Sequence, residues 1–170
     1  MSLTIRLAAL EDLQSINNLY QKVIKDLHNV KKVDIWNEFY PFCEFESDIK
    51  NKDMYLLEIN NEIVGSFAII KVDNPDCHNI AWKYPNDKFI YLERVAINPD
   101  FQGKGYSKTI MDYVINYGIN NNYEVIRLTV HKDNKNAALL YKKYDFIKVE
   151  DNFYTIEDKI FYCYERRLDL

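Results

Sequence analysis

Leu92-Glu93-Arg94-Val95-Ala96-Ile97-Asn98-Pro99-Asp100-Phe101-Gln102-Gly103-Lys104-Gly105-Tyr106-Ser107 is the stretch on which the reading of this chain turns. It ends a strand, Phe89 to Ile97, breaks at Asn98-Pro99-Asp100, passes two closely spaced glycines and enters a helix marked by Tyr106, Ile110, Val114 and Tyr117. Glycines at such a join let successive backbone N–H groups turn toward an anion at a helix N-terminus, so on local grounds the segment is a phosphate cradle. Spacing narrows the nucleotide family. A Walker loop needs Gly-x-x-x-x-Gly-Lys-Ser/Thr, which is absent. A dinucleotide fingerprint needs a third Gly or Ala where Lys108 stands, and it opens the first βαβ unit rather than following four strands.

Outward from that stretch the periodicities are clear. Thr4 to Leu7 alternates like a strand, and Leu13, Ile16, Tyr20, Val23, Ile24 and Leu27 recur at helical spacing. A weaker helical segment covers Phe39 to Ile49. Met54 to Ile59 and Ile63 to Val72 are apolar runs joined by Asn60-Asn61-Glu62, and two asparagines, which tolerate positive φ, make the join a hairpin turn. Asp73 to Lys88 reads as a long loop within one domain. Downstream, the Tyr106 helix is expected to stop at Gly118 and the run Asn120-Asn121-Asn122. Val125 to Val130 is a strand suited to cover on both faces. A helix then carries Ala137, Leu140, Tyr141 and Tyr144 on one stripe, and strands follow near Phe146–Val149 and Lys159–Arg166. The order is β-α-α-β-β-β-α-β-α-β-β.

Composition bounds the rest. The chain has 170 residues, 48% hydrophobic and 28% charged, which describes one domain over 1–170. A chain of this length buries about 70% of its unfolded surface and needs no disulfide or structural metal to hold a core. Twenty-two basic against 26 acidic residues give a net charge of −4, with no basic block, which argues against nucleic acid and anionic membrane as partners. No signal-like N-terminus or spanning apolar stretch is present, so a cytoplasmic protein is expected. Cys43, Cys77 and Cys163 lack Cys-x-x-Cys spacing and read as reduced core thiols. His28, His78 and His131 are too far apart for a ligand pair, and no metal is expected.

The strand and loop resemble the acetyl-CoA segment of the GCN5-related N-acetyltransferases, Arg/Gln-x-x-Gly-x-Gly/Ala after a Pro-containing turn. That family's Asn-x-x-Ala-x-x-x-Tyr helix and following Gly-Phe turn are matched by Asn134, Ala137, Tyr141 and Phe146. The resemblance is close over Tyr91 to Lys148 and holds at the level of element order elsewhere. It implies an α/β (α+β) fold: a mixed, mostly antiparallel twisted sheet of about seven strands with a central splayed parallel pair around Ala96 and Leu128, flanked by about four helices. Two positions depart from the pattern. Ser107 replaces a small Gly or Ala, and its hydroxyl is expected to donate to the pyrophosphate. Asp145 replaces a glycine where positive φ is expected, which Asp tolerates at a cost of about 1 kcal/mol.

The function implied is acetyl-CoA-dependent N-acetyl transfer to the primary amine of a small molecule or peptide, with acetyl-CoA as cosubstrate and no metal. The rival reading is a non-catalytic acyl-CoA-binding or regulatory module. The resemblance runs Val95, Ala96 and Ile97 along the pantetheine arm, with a nearby N–H polarising the thioester oxygen. It gives the pyrophosphate to Gln102, Gly103, Lys104, Gly105, Tyr106, Ser107 and Lys108, and sets Asn134 and Ala137 beside the arm. On the residues alone Asn134 reads equally as an N-cap. Tyr141 is the implied general acid, although its stripe also suits a core tyrosine. A phenol of pKa ~10 protonating a thiolate of pKa ~8.5 moves a proton uphill by ~1.5 units, or about 2 kcal/mol. Glu93 is the candidate base because strand alternation puts it on the face of Val95; a surface or salt-bridged carboxylate, paired to Arg94 or Arg127, reads equally well. His131 at a strand end is the alternative base, expected to be solvated. Trp36, Tyr40, Phe42, Trp82 and Tyr84 lie in segments that cover the acceptor in the family, and would equally serve as packing. The resemblance leaves a homodimer open.

Overall fold

The Asn60-Asn61 turn shows how closely local chemistry governs this chain. Both residues take positive φ, 50° and 67°, and Ile59 pairs directly with Glu62, the geometry of a two-residue hairpin. In the computed structural model, which describes residues 2–85, 87–156 and 158–168, with side chains described outside 150–156, the strands are β1 (Leu3–Leu7), β2 (Met54–Ile59), β3 (Glu62–Ile70), β4 (Phe89–Ile97), β5 (Val125–His131), β6 (Ile147–Ile156) and β7 (Lys159–Arg167). The helices are α1 (Leu13–Asp26), α2 (Phe42–Lys50), α3 (Tyr106–Asn120) and α4 (Lys135–Lys143). Seven strands form one sheet in the order β1-β2-β3-β4-β5-β7-β6. Its parallel pair is β4 with β5, in register from Phe89↔Val125 to Tyr91↔Arg127. The element order matches the sequence reading throughout.

The chain divides into two compact units, Met1–Ile69 with Arg94–Ile110, and Ile70–Glu93 with Met111–Leu170. In the first, α1 presents Ile16, Leu19, Tyr20 and Val23 to a core shared with Phe45 and Ile49 of α2 and Leu56 of β2. That core includes Trp36, stacked obliquely on Tyr20 at 5.3 Å between ring centres. At about 25 cal/mol per Å² of buried apolar surface, each such side chain contributes roughly 1.5–3 kcal/mol. Cys43 corrects one expectation: it sits on the solvent face of α2 and is exposed.

In the second unit β5 pairs antiparallel with β7 from Val125↔Arg167 to His131↔Phe161. Helix α3 passes through Gly118 and ends at Asn120, within the expected stop, and the positive φ of 56° falls on Asn122. A Cβ at Gly118 would lie 2.5 Å from Leu168 Cδ1, the end of a side chain that could turn aside. Across the β5–β7 ladder, Arg127 faces Glu165. The guanidinium of Arg127 lies between the rings of Trp82 and Phe89, 4.6 and 4.1 Å away, and donates to the Tyr84 carbonyl at 3.0 Å. Glu165 accepts the Lys83 N–H at 2.6 Å, and burial raises its pKa above the usual carboxylate range. These two buried charges pin the 82–84 stretch of the loop. Cys77, in the same loop, and Cys163 of β7 are buried and free, with their thiols hydrogen-bonded to each other, which pushes the Cys77 thiol up. No helix among the described residues is long and apolar enough to cross a membrane, and no described cluster of three or more His, Cys, Asp or Glu could hold a metal ion.

Candidate active site

In the first unit the site segment is the end of β4 and the loop that follows. Arg94, in the middle of that strand, has φ +51°, a left-handed conformation that costs an L-residue roughly 1–2 kcal/mol. The surroundings hold it there. Its guanidinium donates to both carboxylate oxygens of Asp48 on α2, at 2.8 and 3.0 Å, and to the Tyr40 hydroxyl at 3.4 Å. Its carbonyl accepts from the Tyr20 hydroxyl of α1. The Arg94 and Asp48 side chains are only 5% and 6% exposed, so this is a buried, bidentate ion pair. Because Arg94 leaves the extended region, strand alternation does not carry across it, and the face-sharing of Glu93 with Val95 loses that basis.

Ala96 is buried and Val95 and Ile97 are partly exposed. Gly65 of β3 allows the strands to close up here, since a Cβ at that position would sit 3.1 Å from the Ala96 carbonyl oxygen. After β4, Asn98 caps a short turn by accepting the Asp100 N–H, and Gln102 ties the loop back by donating to the Ile97 carbonyl at 3.1 Å while accepting Lys31 Nζ at 2.7 Å. Gly103 and Gly105 then take φ +74° and +84°, with open space where a Cβ would stand. Among the described residues, nothing pairs with the backbone N–H groups of Gly103, Lys104, Gly105, Tyr106 or Ser107; the first intrahelical bond runs from Lys108 to the Gly105 carbonyl at 3.0 Å. Five consecutive donors at a helix head, with Lys104 and Lys108 in the same stretch, suit a pyrophosphate.

In the second unit, Glu93 is half-buried and accepts from Asn74 Nδ2 at 3.4 Å. Asn134 caps α4 by accepting the Ala137 N–H through Oδ1 at 3.3 Å, which realises the capping alternative and uses only the oxygen of its amide. Tyr141 is 7% exposed, packs edge-on to Phe146 at 5.7 Å, and has its phenol pKa raised by burial. No described residue hydrogen-bonds its hydroxyl, whereas Tyr144, one turn on, donates to Asp112 at 2.9 Å. Asp145 takes the expected positive φ, 59°. His131 is not solvated: it is buried, edge-on to Phe161 at 5.3 Å, and its Nδ1 accepts the Asp133 N–H at 3.3 Å. The same nitrogen lies 3.9 Å from the Asp133 carboxylate.

These two segments are where a model of the acetyltransferase (GNAT) family bears on the chain, matching residues 14–146. The chain belongs to the GNAT family. An uncharacterised N-acetyltransferase of Methanocaldococcus jannaschii is 26% identical over 149 residues, 86% of this chain. The chain spans 62% of the length of that curated relative. A GNAT-family acetyltransferase structure from Streptococcus agalactiae superposes with a TM-score of 0.85 at 18% identity, covering 99% of this chain and 96% of its own. One from Listeria monocytogenes gives 0.77 at 23% identity, covering 98% and 95%. The ribosomal-protein-S18-alanine N-acetyltransferase of Escherichia coli gives 0.71 at 17%, covering 99% and 96%, and shares the fold.

Within the GNAT frame the sequence-derived residues fall into two groups. Val95, Ala96, Ile97 and Gln102–Lys108 lie in the first unit; Glu93, Asn134, Ala137 and Tyr141 lie in the second. Of the aromatic residues considered for an acceptor wall, Trp36 is core, Tyr40 and Phe42 pack against that core, and Trp82 covers Arg127. Sequence reasoning passed over Tyr20, Asp48 and Gly65. Asp48 carried a signal, as a carboxylate on the buried stripe of α2 with Phe45 and Ile49, and so did Gly65, a glycine inside a strand.

Proposed function

We propose that this GNAT protein is an acetyl-CoA-dependent N-acetyltransferase acting on a primary amine of a small molecule or peptide by direct transfer. The observation that carries the reading is the run of N–H groups from Gly103 to Ser107 that have no partner among the described residues, a ready cradle for the pyrophosphate. Lys104 and Lys108 add charge, Ser107 adds a hydroxyl donor, and Val95 to Ile97 offer strand-like backbone pairing to the pantetheine arm. The thioester supplies an activated acyl carbon. The amine nitrogen forms the new C–N bond as the C–S bond breaks and the thiolate leaves.

Three residue tasks follow. An amine near pKa 10 arrives protonated, and Glu93 accepts that proton directly or through water. An N–H of the Val95–Ile97 segment polarises the thioester oxygen. Tyr141 donates a hydrogen bond to the departing sulfur; with its phenol pKa raised by burial, the bond precedes any proton transfer, which comes late. A hydroxyl with no partner among the described residues, on a side chain that is otherwise buried, is available to a bound thiolate, which supports this role over plain packing and an enzyme over a binding module. Net charge of −4 favours a cationic acceptor over an acidic one. The test is release of free thiol from acetyl-CoA across a panel containing a diamine, an aromatic amine, an N-terminal alanine peptide and a lysine peptide. Stoichiometric thiol and acetylated amine with at least one member are expected. Tight acetyl-CoA binding with no turnover on any member would leave the binding-module reading.

A further inference from the structure

The left-handed residue in β4 is the feature the proposed chemistry leaves unexplained. A strand residue with φ +51° needs outside support, and Arg94 is held at two points by two helices. Asp48 of α2 grips its guanidinium with both oxygens, and Tyr20 of α1 grips its carbonyl. The Arg94 carbonyl and the Val95 N–H belong to one planar trans peptide, in which the two groups point in opposite directions. Fixing the carbonyl on Tyr20 therefore fixes the direction of the Val95 N–H at the other edge of the plane. Tyr20 is itself fully buried, packed obliquely on Phe45 at 4.5 Å and on Trp36 at 5.3 Å, so the clamp has little freedom of its own.

We infer that Tyr20 and Asp48 are positioning residues, which hold the Arg94–Val95 peptide in its left-handed setting so that the Val95 N–H is aimed in advance at the thioester carbonyl oxygen. The inference rests on the acetyl-transfer reading above and adds to it two residues that touch neither substrate. Preorganised donors stabilise developing oxyanion charge because no reorganisation is required at the moment of reaction. Without the clamp, Arg94 relaxes toward the extended conformation natural to a strand, and the peptide plane turns with it. The buried ion pair then has a reason to exist beyond stability, since burying two charges is often no better than burying apolar groups of the same size.

The experiment uses the full chain with acetyl-CoA carrying ¹³C at the thioester carbonyl. Isotope-edited infrared spectra of the bound thioester are recorded beside affinity, thermal unfolding and turnover on the best amine of the panel. In the parent, the bound carbonyl stretch is expected at lower frequency than in free acetyl-CoA, as a hydrogen-bonded carbonyl requires. Tyr20→Phe keeps the ring and removes the clamp. It is expected to bind acetyl-CoA within about threefold of the parent, to lose about tenfold to a hundredfold in kcat, and to move the stretch back toward the free value. Asp48→Asn should do the same; if that variant does not fold, Tyr20→Phe decides. Asp12→Asn breaks another ion pair of the first unit, to Arg6 at 2.7 Å, and should move neither the stretch nor kcat. A folded Tyr20→Phe protein with the parent's stretch and kcat within twofold overturns the inference, as does a kcat loss that Asp12→Asn reproduces. A parent that binds no acetyl-CoA overturns the functional reading itself, an outcome distinct from either.

Discussion

The glycine loop and helix α4 present their chemistry in opposite ways. From Gly103 to Ser107 the proposed groups are main-chain N–H donors, without partners among the described residues, in a turn where two glycines take positive φ. In α4 the proposed group is one side chain, Tyr141, whose hydroxyl has no partner among the described residues where its neighbour Tyr144 has Asp112. The difference teaches what can be recognised in a bare sequence. Backbone chemistry advertises itself through the residues that permit it, and glycine has few other reasons to recur at such spacing. Side-chain chemistry does not, because a tyrosine at one spacing looks the same whether its hydroxyl is spent or available.

The largest effect expected on breaking that contrast is at Tyr141. Tyr141→Phe keeps the ring against Phe146 and should leave folding and acetyl-CoA binding nearly unchanged while lowering kcat about 10–10³-fold. The loss should shrink with a thioester whose thiol is more acidic, because a better leaving group needs less help. Equal rates in the two proteins, with chemistry rate-limiting, would return Tyr141 to the packing residues. On the loop side, Gly105→Val meets open space in the free protein but carries a φ of +84° that costs roughly 1–2 kcal/mol, and it sets a branched side chain where the phosphate is expected. Acetyl-CoA affinity measured by calorimetry on the folded variant should fall at least about tenfold, a loss of about 1.4 kcal/mol in binding. Unchanged affinity would remove the pyrophosphate from this loop.

Tyr144→Phe sharpens the same contrast from the other side. The hydrogen bond to Asp112 is worth about 1 kcal/mol of stability, and its loss should appear in denaturant titrations with kcat unaffected. The Tyr144 pKa is pushed up to about 12 by burial and by the bond to Asp112. A phenol held protonated in the folded state adds stability below its unfolded pKa, and that increment fades as pH rises from about 10 toward 12. The parent should therefore lose its advantage over Tyr144→Phe across that alkaline window, and a constant difference would show that the bond does not carry it. The smallest effect belongs to Asp145→Gly, which restores the family's glycine at φ 59°. Relief of strain, partly offset by the freer unfolded chain, should raise stability by about 0.5 kcal/mol with turnover unchanged. A change in kcat would give the helix end a part in catalysis.

Element order and the Asn60-Asn61 hairpin were legible because each rests on periodicity or on a local conformational preference, whereas the parallel pairing of β4 with β5 and the positive φ of Asp145 followed from the family resemblance. Gly118 looked like part of the helix end, yet α3 passes through it to Asn120. What escaped depends on neighbours distant in sequence. His131 looked solvated until Phe161, across the ladder, covered it. Trp36 looked available for a ligand until α1 and α2 closed around it. Arg94 was the least legible of all. Nothing in Leu92-Glu93-Arg94-Val95-Ala96 announces a left-handed residue, because an arginine takes that conformation only where tertiary contacts hold it.

The chain has two tryptophans, and the fold gives one to each unit. Trp36 sits in the aliphatic and aromatic interior of the first, while Trp82 is half-exposed in the second with a guanidinium 4.6 Å from its ring. Their environments separate their emission: Trp36 at short wavelength, Trp82 at longer wavelength and sensitive to whatever disturbs the loop it belongs to. A Trp82→Phe protein would leave a fluorophore blind to the second unit, and Trp36→Phe one blind to the first. The native sequence thus carries its own pair of optical probes, able to report without any attached label which half of the chain responds first when acetyl-CoA or an amine is added.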